Sequence, residues 1–174
     1  GIKSSSGDII GILNSDDYFN KDALKIVKTH FENYPEINFL FGSVIKHKHL
    51  YSFQPWKIYW TFGFYTAHSV GFFIKKESQL KVGYYNLKYK YSADYDLFYR
   101  MIVKMKMKGK STKKNEILGY FNINGLSSRI KYIDFLNENT LIRLDNGQNK
   151  YIVKIIYLLR YIKRIRIILK QKKN

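Results

Sequence analysis

Short apolar runs alternate with stretches of helical spacing along this chain. The first run, Ile9, Ile10, Ile12 and Leu13, is rich in β-branched residues and bounded by Gly7 and Asn14, which predicts a buried strand. Asn20 stands where an N-cap would stand, followed by Leu24, Val27 and Phe31 at helical spacing, and residues 33–35 end that helix at Pro35. Residues 37–45, 69–74 and 117–123 read as further strands. A short helix is predicted over 77–81, closed by Gly83. A longer one is predicted over 95–107, capped by Ser92 or Asp94, with Leu97, Met101 and Met105 on one face. Two more helices follow over 132–144 and 150–169. Residues 47–66 are aromatic and irregular, while 108–114 and 124–129 read as polar loops. Alternating strands and helices favour an α/β sandwich around one sheet.

Composition narrows the class. With 174 residues and 45% hydrophobic content, the chain builds a real core and is not a disordered composition. It has no cysteine, which excludes a disulfide scaffold, a Cys zinc site and a thiol nucleophile, and fits a reducing compartment. Net charge is +18, and residues 150–174 carry nine Lys or Arg with no acid. Half the excess therefore lies in the tail. There Ile152, Ile155, Ile156, Leu159 and Ile162 fit one helical face and Lys154, Arg160, Lys163 and Arg164 lie elsewhere. Such a basic amphipathic helix suits an anionic membrane surface; the alternative is a helix packed on the domain with a solvated charged face. No run approaches the ~20 apolar residues of a membrane span. No signal peptide is evident, and the expected location is cytoplasmic, peripheral at the inner face of a membrane. The chain opens without Met, almost directly into a core strand, so an N-terminal portion is expected to be missing.

Asp16 and Asp17 follow the first apolar run at once. Carboxylates just past the C-terminal end of an α/β strand stand where such sheets place ligands. Two of them suit Mg²⁺ or Mn²⁺ shared with a diphosphate, although an Asx-type turn or a helix cap would use the same residues. Asp94 and Asp96, two apart, would face nearly opposite sides of a helix, so only one can readily point into a site. His68 opens an apolar strand, where a lone histidine is more often structural than a ligand contact.

Four segments in order carry a family resemblance. GIKSSSGDIIGILNSDDYF (1–19), AHSVGFF (67–73), SADYDLFYR (92–100) and FNINGLS (121–127) resemble the nucleotide-sugar domain of glycosyltransferase family 2. The first resembles that family's metal-binding DXD-type segment, the second its acceptor-side strand, the third the segment supplying the catalytic base, and the fourth a loop near the donor. The likeness covers about residues 1–130. Asn14 stands where many relatives have an additional Asp, Ser69 replaces a Gln and Asn124 a Gly. The resemblance implies that the strand–helix unit that normally opens the family and binds the nucleotide would lie before Gly1.

The resemblance implies a GT-A-like, Rossmann-like mixed sheet flanked by helices, spanning 1–130, with a helical basic extension over 131–174. It implies a metal-dependent inverting glycosyltransferase, or a truncated piece of one, that moves a sugar from a nucleotide-diphosphate sugar to a glycan or lipid-linked acceptor in polysaccharide biosynthesis. Asp16 and Asp17 would hold Mg²⁺ or Mn²⁺. Asp94 would be the base, with Asp96 as alternate. Asn14, Ser15, His68 and Ser127 would touch donor or acceptor, Ser127 and Ser128 as a flap, while Arg100 would make a structural salt bridge. Two competing readings are a non-catalytic membrane-surface protein and a basic nucleic-acid-binding module on a degenerate transferase fold. No helix-turn-helix, zinc-finger or RNP motif supports the second, so no nucleic acid is expected as a partner.

Overall fold

A computed structural model of the chain describes residues 1–51, 53–60, 69–122 and 130–172. Two compact units divide it. The first comprises Gly1–Tyr84 and Met101–Ile123, the second Tyr85–Arg100 and Asn124–Asn174. Residues 85–100 thus belong with the C-terminal helices.

The first unit holds two four-stranded mixed sheets rather than one. Strands β1 (Ile9–Gly11), β2 (Tyr18–Phe19), β3 (Phe39–Phe41), β4 (Ser43–Ile45), β5 (His49–Leu50), β6 (Phe72–Lys75), β7 (Gly109–Ser111) and β8 (Ile117–Tyr120) form them. One sheet runs β1-β6-β3-β7 and the other β2-β8-β4-β5. In each, one parallel pair (β3 with β7, β4 with β8) joins antiparallel neighbours. The run 37–45 was expected as a single strand, but Gly42 divides it between the sheets. A Cβ there would lie 2.0 Å from Leu118 Cδ1, so only glycine lets the chain pass that close.

Strand β1 is an edge strand and not the buried strand its apolar run predicts. Only Ile10 is buried, while Ile9 and Ile12 are half-buried and Leu13 is exposed. The N-cap position of helix α1 (Ala23–Asn33) falls on Asp22, which makes no side-chain capping bond, rather than on Asn20, whose carbonyl accepts the Ala23 amide. Its inward face is Ala23, Val27, His30 and Phe31, with Leu24 turned out to solvent. That face packs with Ile37, Leu40, Phe73 and Leu118. His30 Nε2 meets Glu116 Oε2 at 2.8 Å and ties α1 to the entry of β8. Helix α2 (Lys76–Val82) ends as expected at Gly83, whose φ of +81° is the left-handed conformation glycine supplies.

Residues 69–71 were expected to belong to the β6 strand, but they form a tight turn before it. Val70 there has φ +66°, a strained conformation for a β-branched residue. Its side chain is fully buried against β8 at Gly119, where a Cβ would fall 2.2 Å from Val70 Cγ1 and 2.3 Å from the Tyr18 carbonyl oxygen. The backbone contact has no rotamer escape. Gly119→Ala is therefore expected to destabilise by about 3 kcal/mol, the upper end for overpacking. A denaturant melt with an unchanged midpoint would show that β2 and β8 separate freely.

In the second unit, α3 (Ala93–Tyr99), α4 (Tyr132–Asp145), α5 (Lys150–Lys163) and α6 (Ile165–Lys172) surround Tyr95, Tyr99, Leu136, Ile142, Val153, Ile156 and Ile168. The helix expected over 95–107 is shorter, since α3 passes at Arg100 into one π-helical turn, Arg100–Lys104. The tail expected as one helix breaks at Arg164, which leaves helical geometry at φ −118°, ψ 13°.

Candidate active site

Two clusters carry the carboxylates singled out by sequence, one in each unit. In the first, β1 runs into a turn in which the Asp17 amide donates to the Asn14 carbonyl at 3.2 Å, with Ser15 and Asp16 at its corners. Asn at the first position of such a turn is common. The 69–71 turn fixes this one from beside it. Ser69 Oγ accepts the Asn14 amide at 3.0 Å and donates to the Ile12 carbonyl, and the Val70 amide donates to the same carbonyl at 3.2 Å. Ser69, buried at 1% exposure, thus acts on the backbone of the carboxylate loop. The strained φ of Val70 sits in the segment that positions Asp16 and Asp17, as stored strain often does near a site.

The two aspartates are not equivalent. Asn14, Ser15 and Asp16 are exposed. Asp17 is 8% exposed, and its Oδ1 accepts the Asn122 amide, just beyond β8, at 2.8 Å. Its Oδ2 is buried with no hydrogen-bond partner among the described residues. A buried carboxylate oxygen without a donor is costly, and a cation is one natural partner for it. Next to it, Tyr18 and Tyr120, directly opposed across β2 and β8, stack with ring centroids 4.8 Å apart. Among the described residues no three His, Cys, Asp or Glu side chains converge as a metal cage. A Mg²⁺-type ion does not need one, because it is commonly held by one or two carboxylates together with substrate phosphates. The orphaned Asp17 oxygen beside the exposed Asp16 carboxylate fits that donor set.

In the second unit, Asp94 and Asp96 occupy the first turn of α3. Asp94 is half-buried, and its Oδ1 accepts the Tyr95 amide at 2.8 Å. It adds to the effect of burial in pushing the Tyr85 phenol well above the usual tyrosine range, against the opposing pull of Arg100. Asp96 is 3% exposed and fully engaged. Its Oδ2 accepts Arg100 Nε at 2.9 Å, and its Oδ1 accepts Asn146 Nδ2 at 2.9 Å. Arg100 therefore makes the salt bridge expected of it. Asp96 joins α3 to the end of α4 through both of its oxygens.

One helix organises the segment leading into Asp94. Glu138 on α4 accepts three consecutive backbone amides, from Lys90 at 2.9 Å and from Tyr91 and Ser92 at 2.7 Å. One residue on, buried Asn139 donates to Ser92 Oγ. Two turns further along α4, Asp145 accepts from Lys88 and from the Tyr89 hydroxyl. Those two hydrogen bonds hold the Asp145 carboxyl below its usual range. Burial, joined by the hydrogen bond to Asp145, raises the Tyr89 phenol well above its own. None of these partners is near its target in sequence, so spacing alone gave no sign of Glu138, Ser69 or Asn122.

His68, Ser127 and Ser128 lie outside the described residues. Asp16 and Asp17 belong to the first unit, and Asp94 and Asp96 to the second.

No family model and no curated protein sequence matches the chain. Solved structures do. The crystal structure of S. aureus TarS 1–349 matches with a TM-score of 0.57 at 14% identity, covering 93% of this chain and 49% of that one. The same region in complex with UDP matches equally well. A structure of S. aureus TarS matches with a TM-score of 0.59 at 14% identity, covering 92% of this chain and 29% of that one. The chain thus spans about half or less of these proteins' length. At this identity the likeness shows the fold: a mixed α/β architecture of the GT-A kind, its mixed sheets flanked by helices.

Proposed function

We propose that this chain is the metal- and acceptor-side part of a glycosyltransferase using a nucleotide-diphosphate sugar. The observation that carries the reading is Asp17, a carboxylate buried in the turn between β1 and β2, with one oxygen held by the Asn122 amide and the other without a partner among the described residues. The resemblance of four ordered segments to glycosyltransferase family 2 supports it. So does the fold shared with a protein crystallised with UDP.

On this reading Asp16 and Asp17 hold Mg²⁺ or Mn²⁺, which when bound offsets the charge that develops on the departing diphosphate. Asn122 and Ser69 fix the carboxylate loop, so Asp17 is oriented before donor arrives. Asp94 takes the proton of the acceptor hydroxyl, which attacks the anomeric carbon by direct displacement with inversion. A positioned base typically contributes about 10²–10⁴-fold. Asp96 is second choice for that role, because Arg100 and Asn146 occupy it. His68 and Ser127 complete the donor and acceptor contacts, with a glycan or lipid-linked glycan as acceptor. The test is release of nucleoside diphosphate from UDP-sugars. It should require Mn²⁺ or Mg²⁺, stop with EDTA and collapse in Asp94→Asn. Release that persists equally in EDTA would overturn the metal assignment.

A further inference from the structure

Helix α5 has two apolar faces, and the fold uses only one. Val153 and Ile156 point inward and are buried in the second unit. Tyr151, Ile152, Ile155, Leu158, Leu159 and Ile162 are all exposed, from 41% at Ile152 to 65% at Tyr151. At 3.6 residues per turn, these six fall on one continuous stripe about 120° wide that runs the length of the helix. Of the face read from sequence as one stripe only Ile156 is therefore core, and the outward stripe extends to Tyr151 and Leu158. Beyond the break at Arg164, Ile165 and Leu169 share one face of α6 and are each at least 40% exposed. Exposed Lys150, Lys154, Lys163, Arg164, Arg166 and Lys170 border these apolar faces. No Asp or Glu occurs from residue 150 to the end of the chain.

We propose that the outward face of α5 and α6 docks on an anionic phospholipid leaflet, lying in the plane of the interface. Charge decides between the possible occupants. A second copy of this chain would bring nine more cations against nine, with no acid on either side to pair them. A leaflet of acidic lipids offers hydrocarbon for the stripe and phosphates for its rim, the arrangement interfacial helices use. No helix among the described residues is long and apolar enough to cross a membrane, so the contact is lateral. This inference stands apart from the transferase reading and holds or fails without it.

The test is co-sedimentation of the full chain with vesicles of phosphatidylcholine alone and with 1:1 phosphatidylglycerol. Partitioning at least tenfold stronger on the phosphatidylglycerol vesicles, weakened by salt, is expected. Ile155→Glu with Leu159→Glu should abolish it and leave the thermal melt unchanged, since both side chains are already in water. Lys150→Gln with Lys154→Gln and Lys163→Gln should remove the preference for the acidic lipid. Equal partitioning on both vesicle types, no partitioning, or binding that survives the double glutamate variant would overturn the proposal. So would self-association of the wild type that the double variant dissolves, which would assign the stripe to a second copy.

Discussion

Replacing Asp94 with Asn is expected to lower sugar transfer by about 10²–10⁴-fold, the range a positioned general base contributes. The loss should fall on kcat with little change in KM for the donor, because a base acts on the acceptor proton and not on donor binding. Asp96→Asn offers the contrast. It leaves Asp94 intact but replaces a carboxylate that accepts from both Arg100 and Asn146 at 3% exposure. Its expected cost is stability, about 2–3 kcal/mol, because the buried ion pair between Asp96 and Arg100 is lost. Two aspartates two residues apart thus separate by readout: one variant folds and turns over poorly, the other melts early. Equal loss of turnover at unchanged stability in both would show that Asp96 shares the proton.

Glu138→Ala should cost about 3 kcal/mol or more. Its carboxylate accepts three successive amides, those of Lys90, Tyr91 and Ser92, and truncation leaves all three without an acceptor from α4. Glu138→Gln keeps one amide oxygen as acceptor and loses the charge, so it should fall between wild type and alanine. The same carboxylate fixes the approach to α3, so the alanine variant should also lose turnover through Asp94. A urea midpoint unmoved in Glu138→Ala would mean that these amides find other partners at no cost.

These two sites show what the sequence made legible. Both aspartates of α3 stand out through the resemblance of SADYDLFYR to the segment that supplies a catalytic base, and helix α4 is expected within one residue of where it ends. What escaped detection is why α4 is there. The residues that make its contacts, Glu138, Asn139, Asp145 and Asn146, are polar, so hydrophobic periodicity finds the helix without finding its partners. Periodicity failed differently in α5. Two apolar faces meet on one helix, and a single stripe drawn through Ile152, Ile155, Ile156, Leu159 and Ile162 mixes the core residue Ile156 with solvent-facing residues. Strand β1 was overestimated because four apolar residues in five imply burial on both faces, whereas an edge position leaves Leu13 in water. The split of 37–45 turned on Gly42, whose need to be glycine arises from Leu118, far along the chain. In each case the deciding contact is long-range, and local pattern carries no trace of it.

The Asp17 carboxylate decides the central claim, and electron paramagnetic resonance titration of Mn²⁺ into the wild type and Asp17→Asn reads it directly. Asn keeps the oxygen that accepts the Asn122 amide, so the loop should survive and the melt in EDTA should be unchanged or slightly higher. The account predicts saturable Mn²⁺ binding by the wild type, strengthened by UDP, and an affinity at least about 100-fold weaker in Asp17→Asn, since even residues that only support a metal ligand cost 10–100-fold when changed. Indistinguishable Mn²⁺ titrations for the two proteins, with and without UDP, would contradict it.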